Sequence, residues 1–287
     1  IARYSTDSAG GGVTFGFPIG ETQRINFGMN IEHTEIREGF AAAQEISEFI
    51  ERNGPDALNF KASLSWIRST LNRGVFADRG SSQSIGLTFA VPGSDLEFYR
   101  LTYQGEKYFP LSRLFTLKLR TELGYGDSYG NTPALPFYEH FFAGGFGSIR
   151  GFENSTLGPR STPPLDENGN PIIFSSFDND GRFGQPFGGN LMLEFSAEVI
   201  FPLPFVEDNR QFRPAFFFDV GNVFNTECPT VSTNCFDLST DELRYSAGFG
   251  WSWLSGFGPL TFAVSKPMNT KFFDEEESFQ FELGKTF

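Results

Sequence analysis

Two histidines, His33 and His140, and two cysteines, Cys228 and Cys235, are the first residues to test for chemistry in this sequence of 287 residues. Neither histidine has a serine or cysteine beside it in a nucleophile setting, so a Ser-His esterase or a Cys-His hydrolase finds no support. The cysteines are too few for a disulfide scaffold and wrongly spaced for a zinc site. In "LDENGNP", Asp166, Asn168 and Asn170 stand at calcium-loop spacing, but Pro171 takes the place of the required glycine and no bidentate glutamate follows. "DNDG", Asp178 to Gly181, fails similarly, with Arg182 at a ligand position. Both read as turns, and "DEEE", Asp274 to Glu277, reads as a solvated loop that could at most recruit divalent ions. The sequence implies no metal and no cofactor.

One charge stands apart. Arg150 lies in "FFAGGFGSIRGFENSTLGPR", Phe141 to Arg160, a segment rich in glycine and aromatics with few other charges. Burying a guanidinium among such residues costs several kcal/mol unless carboxylates meet it. The elements that could carry those carboxylates therefore decide the reading.

Aromatics make up 17% of the chain and 37 residues are Phe, yet the mean hydropathy is -0.24. Apolar residues must be interleaved with polar ones. No run approaches the ~18 apolar residues of a membrane-spanning helix, and "IARYSTDSAG" lacks the regions of a signal peptide. The net charge of -13 disfavours a basic patch for nucleic acid or for an anionic bilayer surface.

Segments of period two recur along the chain. Ile25, Phe27, Met29 and Ile31 alternate with Arg24, Asn26, Gly28 and Asn30. The same holds for Ile85 to Val91, for Phe115 to Tyr125, for Leu243 to Trp253, and for "SFQFELGKTF", where Phe279, Phe281, Leu283 and Phe287 share a face. About eleven such strands can be counted, many near ten residues long, as spanning strands are. A β-sandwich alternates too, but its apolar face is aliphatic and turned inward. Here Phe, Tyr and Trp stand opposite glycines and polar residues, which favours a barrel with its apolar face on lipid.

Connection lengths agree. Counted back from the C-terminus they alternate long and short with one exception, the short "PGSD". Outer-membrane barrels show this asymmetry, with short periplasmic turns and long extracellular loops, and it puts the C-terminus on the periplasmic side. In one long loop, "AAAQEISEFIER" sets Ile46, Phe49 and Ile50 at helical spacing, predicting a short helix that caps the rim. Cys228 and Cys235 share another extracellular loop, where oxidation is permitted, and are expected to form a disulfide. Closing so short a loop contributes roughly 2.5 kcal/mol by chain entropy.

The connection from Asp127 to Phe187 is too long to be a simple turn. Its polar part, "PRSTPPLDENGNP", suits disorder, whereas the aromatics of "PFYEHFFAGGFGSIRGF" need burial. Folding back into the lumen would bury them and carry Arg150 inside. Leu191, Leu193, Phe195, Ala197 and Val199 take the lipid face, which sends Glu194 and Glu198 inward. Phe216, Phe218 and Val220 do the same for Asp219. The predicted fold is all-β, a transmembrane antiparallel barrel with a long loop folded into the lumen and clamped to the inner wall.

At these residues the sequence resembles a known family. "FFAGGFGSIRGF" followed by "TLGPR" is similar to the loop-six signature of the BamA family of outer-membrane β-barrel assembly factors, whose Val/Ile-Arg-Gly-Phe motif falls here on Ile149, Arg150, Gly151 and Phe152. "PFYEHFFAGG", "GGNLMLEFSAEVIFPLPF", "FFFDVGNVF", "GFGPLTFAVSKP" and "FQFELGKTF" also resemble that family, in order and over nearly the whole chain. The resemblance implies that the motif arginine pairs with carboxylates mapping to Glu198 and Asp219, the residues reached by parity.

It further implies a barrel of about sixteen strands preceded by POTRA domains. Residues 1–287 are then the C-terminal part of that transmembrane domain, with no POTRA domain and without the first few strands. The implied activity is to fold and insert β-barrel proteins into the outer membrane without nucleotide or covalent chemistry, so the chain is not expected to be an enzyme. Implied partners are unfolded outer-membrane clients, accessory lipoproteins and the bilayer; nucleic acid is not among them. In the family mechanism a weak seam between first and last strands opens, and a client strand adds to the edge. The last strand carries Phe279, Phe281, Leu283 and Phe287, and Gly284 is either its weak point or a relief of crowding. A two-partner secretion pore or a passive outer-membrane channel is the alternative, and an outer-membrane enzyme would need a His-containing rim cluster that the sequence lacks.

Open edges in an apolar phase leave costly unsatisfied backbone groups. The chain is therefore expected to close on itself as a barrel of about twelve strands, an even number as antiparallel closure requires. Closure would pair residues 1–18 with 278–287, edge-to-edge dimerisation being the rival.

Overall fold

The fold, taken from a computed structural model, is described for residues 4–39, 42–172, 184–203, 211–228, 231–256 and 258–284. Phe287 and the "DNDG" residues lie outside the described residues. Period-two alternation yields strands β1 (Tyr4–Gly20), β2 (Gln23–Glu38), β3 (Asp56–Ser69), β4 (Gly80–Ala90), β5 (Phe98–Pro110), β6 (Thr116–Ser128), β7 (Leu191–Ile200), β8 (Phe212–Phe224), β9 (Arg244–Ser255), β10 (Gly258–Met268) and β11 (Phe279–Leu283). Each pairs antiparallel with its sequence neighbours in one eleven-stranded sheet. Helix α1 (Gln44–Asn53) falls in the β2–β3 connection and packs Ile46 against Ile36 and Phe137.

Register carries the parity of each strand across the sheet. Leu117, Val199, Phe216, Phe249, Val264 and Phe279 are successive partners from β6 to β11 on one face. Of these, Phe216, Val264 and Phe279 are 59%, 57% and 59% exposed, so this face is an apolar outer belt. The inner face carries the row Lys118, Glu198, Phe217, Gly248, Ser265 and beside it the row Arg120, Ser196, Asp219, Ser246. A soluble sheet would have the opposite polarity.

The inner face is covered by the β6–β7 connection. Its Phe141, Ala143, Ile149, Phe152 and Leu157 form a buried cluster with Met192 of β7 and Val223 of β8. Gly124 of β6 lets the segment lie this close, because a Cβ there would stand 2.6 Å from the Phe141 ring.

Three expectations are corrected. The wall does not close: β1 pairs only with β2, β11 only with β10, and no β1–β11 pairing occurs among the described residues. Tyr4 to Gly20 is a single strand, used along its length against β2. With an odd number of strands the first and last run parallel, so antiparallel closure fails. Second, "PRSTPP" is not disordered: Arg160, Ser161 and Thr162 are buried. The Thr162 N–H donates to both Glu45 carboxylate oxygens at 2.9 Å, and Gln44 Nε2 donates to the Pro163 carbonyl at 2.7 Å. Asp166 Oδ1 accepts the amides of Asn168 and Asn170, each at 2.8 Å, making the "DENGN" segment a turn. Third, the "DEEE" run is not simply solvated, as shown below. Cys228 and Cys235 are joined by a disulfide in the β8–β9 connection.

His140 follows the 3-10 turn Phe137–Glu139. Its Nδ1–H donates to the Phe187 carbonyl at 3.0 Å and its ring meets Phe187 edge-on. Burial pushes its pKa from 6.5 down to about 4, against hydrogen bonds to Phe187 and Leu135 that favour the charged ring. A depressed pKa stabilises the docked loop above the unfolded value, and that contribution is lost as pH falls from about 6.5 toward 4. Amide exchange of residues 137–141, corrected for intrinsic rates, should accelerate across this window and do so less in His140→Gln. A flat profile would contradict the assignment.

Candidate functional site

Inward parity on β7 and β8 brings Ser196, Glu198, Phe217 and Asp219 to one patch of wall. The β6–β7 connection delivers Arg150 onto it. Arg150 Nε and Nη2 donate to Asp219 Oδ2 and Oδ1, both at 2.7 Å, as a two-pronged fork. Nη2 also donates to Ser196 Oγ at 3.0 Å, Nη1 lies 3.0 Å from Glu198 Oε1, and the Arg150 backbone N–H donates to Asp219 at 3.1 Å. Beneath the guanidinium the Phe217 ring centroid is 3.6 Å away, a cation–π contact.

The site is buried. Arg150 is 2% exposed, Glu198 4% and Asp219 0%. Lys118 Nζ lies 3.7 Å from Glu198 and 4.0 Å from Glu106. Ser196 Oγ donates onward to Asp219 at 2.6 Å, fixing the carboxylate that holds the fork. Near the loop tip, Arg120 donates to the Ser148 carbonyl at 2.8 Å and the Ser148 hydroxyl donates to Glu194.

The other motif residues follow from this placement. Ile149 and Phe152 are fully buried beside the arginine. Gly151 takes φ +93°, and a Cβ there would stand 3.0 Å from Ser265 Oγ of β10. Only glycine meets both demands comfortably. On the far side Arg160 reaches Glu275 at 3.3 Å and donates to the Phe273 carbonyl at 2.5 Å. Arg244 pairs with Asp274 at 2.6 Å, both essentially inaccessible. The acidic run thus fastens the loop: a charge run shows no periodicity from which its partners could be read.

Among the terminal-strand residues, Phe279, Phe281 and Leu283 face outward, 59%, 53% and 61% exposed. Gly284 directly follows β11 with φ +93°, and its N–H donates to the Pro259 carbonyl at 2.8 Å. Sequence reasoning missed Ser196, Arg160, Arg244 and Gln280. The first and last share the inward parity of residues already assigned, Ser196 lying between Glu194 and Glu198 and Gln280 between Phe279 and Phe281.

Comparison with known proteins adds the following. The model of the Omp85 superfamily domain matches residues 1–287. The outer membrane protein assembly factor BamA of Neisseria meningitidis serogroup B is 34% identical over 313 residues, covering 100% of this chain and 37% of the relative. A SAM50-like protein of Schizosaccharomyces pombe is 27% identical over 68% of the chain and 34% of its own length. The crystal structure of BamA from Haemophilus ducreyi lacking POTRA domains 1–3 superposes with a TM-score of 0.84 at 29% identity, over 97% of this chain and 54% of that one. The chain thus spans little more than a third of the length of these curated relatives.

Arg150→Ala should leave Asp219 and Glu198 buried without their partner, costing about 3–5 kcal/mol, and Arg150→Lys should fall between because it keeps the charge and loses the fork. Urea titration read by heat-modifiable gel mobility measures both, and a midpoint unmoved in Arg150→Ala would refute the clamp. Gly151→Ala should cost about 1–3 kcal/mol through its left-handed backbone alone, seen in the same titration.

Proposed function

The chain belongs to the Omp85 superfamily, and from that premise we propose that it is the C-terminal part of the transmembrane barrel of an outer-membrane protein assembly factor. The outer belt of Phe216, Phe249, Val264 and Phe279 faces lipid, and the short-turn end, with the C-terminus, faces the periplasm. Its clients are unfolded β-barrel proteins, accessory lipoproteins assist it, and it acts as a folding surface, not as an enzyme.

The observation that carries this reading is the weakness of the terminal edge. Among the described residues β11 pairs with β10 over five residues, whereas β10 pairs with β9 over eleven. A strand with outward aromatics and, among the described residues, no strand paired on its far edge is a template onto which a client strand can add by backbone hydrogen bonding. The clamped loop lays Phe141, Ile149, Phe152 and Leu157 against the inner face of this wall.

A photo-reactive phenylalanine replacing Phe281 in the full-length parent, reconstituted in vesicles, should cross-link an unfolded β-barrel client during assembly. The same probe at Leu119, on the wall away from the edge, should give little product. Equal labelling at both positions, or export of a soluble polypeptide by the vesicles, would favour the secretion-pore reading instead.

A further inference from the structure

The terminal strand is attached to more than its neighbour β10. Because Phe279 and Phe281 face outward, Gln280 between them points into the lumen, where it is 3% exposed. Its Oε1 accepts the Gly151 N–H at 3.2 Å and its Nε2 donates to the Phe152 carbonyl at 2.8 Å. One carboxamide therefore spans an amide and a carbonyl of consecutive motif residues. The segment leading into β11 adds to this: the Glu277 N–H donates to the Gly151 carbonyl at 2.9 Å, and the Glu153 N–H donates to the Glu275 carbonyl at 2.8 Å. Glu277 Oε2 accepts from Gln280 Nε2 at 3.2 Å and so orients the carboxamide.

The loop motif is thus gripped from two sides. Arg150 is fixed to β7 and β8, and the next two residues are fixed to β11. We propose that Gln280 is a positioning residue that couples the loop clamp to the terminal edge, so that β11 leaves its place only as the Gly151–Phe152 backbone leaves its own. The strength of the Arg150 clamp then sets how readily the edge is freed for a client. This rests on the seam reading above. Glutamine suits the task because its side chain both donates and accepts; glutamate lacks the donor and leucine lacks both. Among the described residues β11 has five residue pairs to β10, flanked by the hydrogen bonds Ser265 N–H to the Ser278 carbonyl and Gly284 N–H to the Pro259 carbonyl, and the two carboxamide bonds add a separate anchor to the loop.

Hydrogen exchange on the full-length parent in vesicles tests the coupling without reference to activity. Arg150→Lys removes none of the hydrogen bonds described above for β11, yet it should speed exchange of residues 279–283 about tenfold, the loss expected when roughly one to two hydrogen bonds' worth of protection disappears. Gln280→Leu should speed exchange at Gly151 and Phe152 similarly, and the double variant should be no faster at β11 than the faster single one. Exchange at 279–283 that stays within about twofold in Arg150→Lys, or effects that multiply in the double variant, would overturn the proposal. Should Arg150→Lys fail to fold, the loop signal in Gln280→Leu decides alone: no acceleration at Gly151 and Phe152 overturns it. If exchange responds as expected while the probe at Phe281 captures no client, the latch stands and the seam reading falls.

Discussion

The guanidinium of Arg150, held between Asp219 and Glu198 against the Phe217 ring, is the interaction on which the arrangement of the interior depends. Desolvating three charges is tolerable only when each finds its partners at short range. That demand fixes much else. Asp219 and Glu198 must sit on adjacent strands with the same inward parity, which the β7–β8 register provides. The loop must approach β10 closely enough that residue 151 has no side chain. Lys118, 3.7 Å from Glu198, adds a second cation beside the pair.

How much of this could be read in advance follows from period. Along β7, the outward residues Leu193, Phe195 and Ala197 leave Glu194, Ser196 and Glu198 inside, and in β8 Phe216 and Phe218 leave Asp219 inside. Strand register then adds the rows across the sheet, which one sequence cannot show because it depends on turn geometry and on pairing between strands. Loop partners were illegible for a different reason. Asp274 and Glu275 lie in a connection without periodicity and meet Arg244 at the start of β9 and Arg160 in the β6–β7 connection, so nothing in their own run points to a partner. "PRSTPP" looked disordered on composition because its stabilising groups, Gln44 and Glu45, lie on a helix in another connection.

The polar interior also explains why the chain can carry a net charge of -13 and still bury arginines. Arg150, Arg160 and Arg244 are each 5% exposed or less, and each is matched by a carboxylate on a different element. These pairs tie the β6–β7 connection, β9 and the β10–β11 connection together across large sequence separations. An apolar interior of similar volume could be as stable, but it would not specify which loop residue meets which strand. Specificity of placement is the plausible return on the desolvation cost.

A wall of eleven strands left open could be thought to lose its loop along with its closure. It does not, and the contacts show why. The side-chain anchors of Arg150 lie on β7 and β8, and the backbone of Gly151 and Phe152 is held by β11 and the segment before it. β1 to β5 supply none of these contacts, so the clamp depends on neighbouring strands at one end of the sheet and not on the barrel being complete. The motif's grip by β7, β8 and β11 can respond to movement of the terminal edge while β3 and β5 hold the start of the same connection through Glu139. That locality is what a loop must have if it is to sense, or restrain, the departure of a single strand.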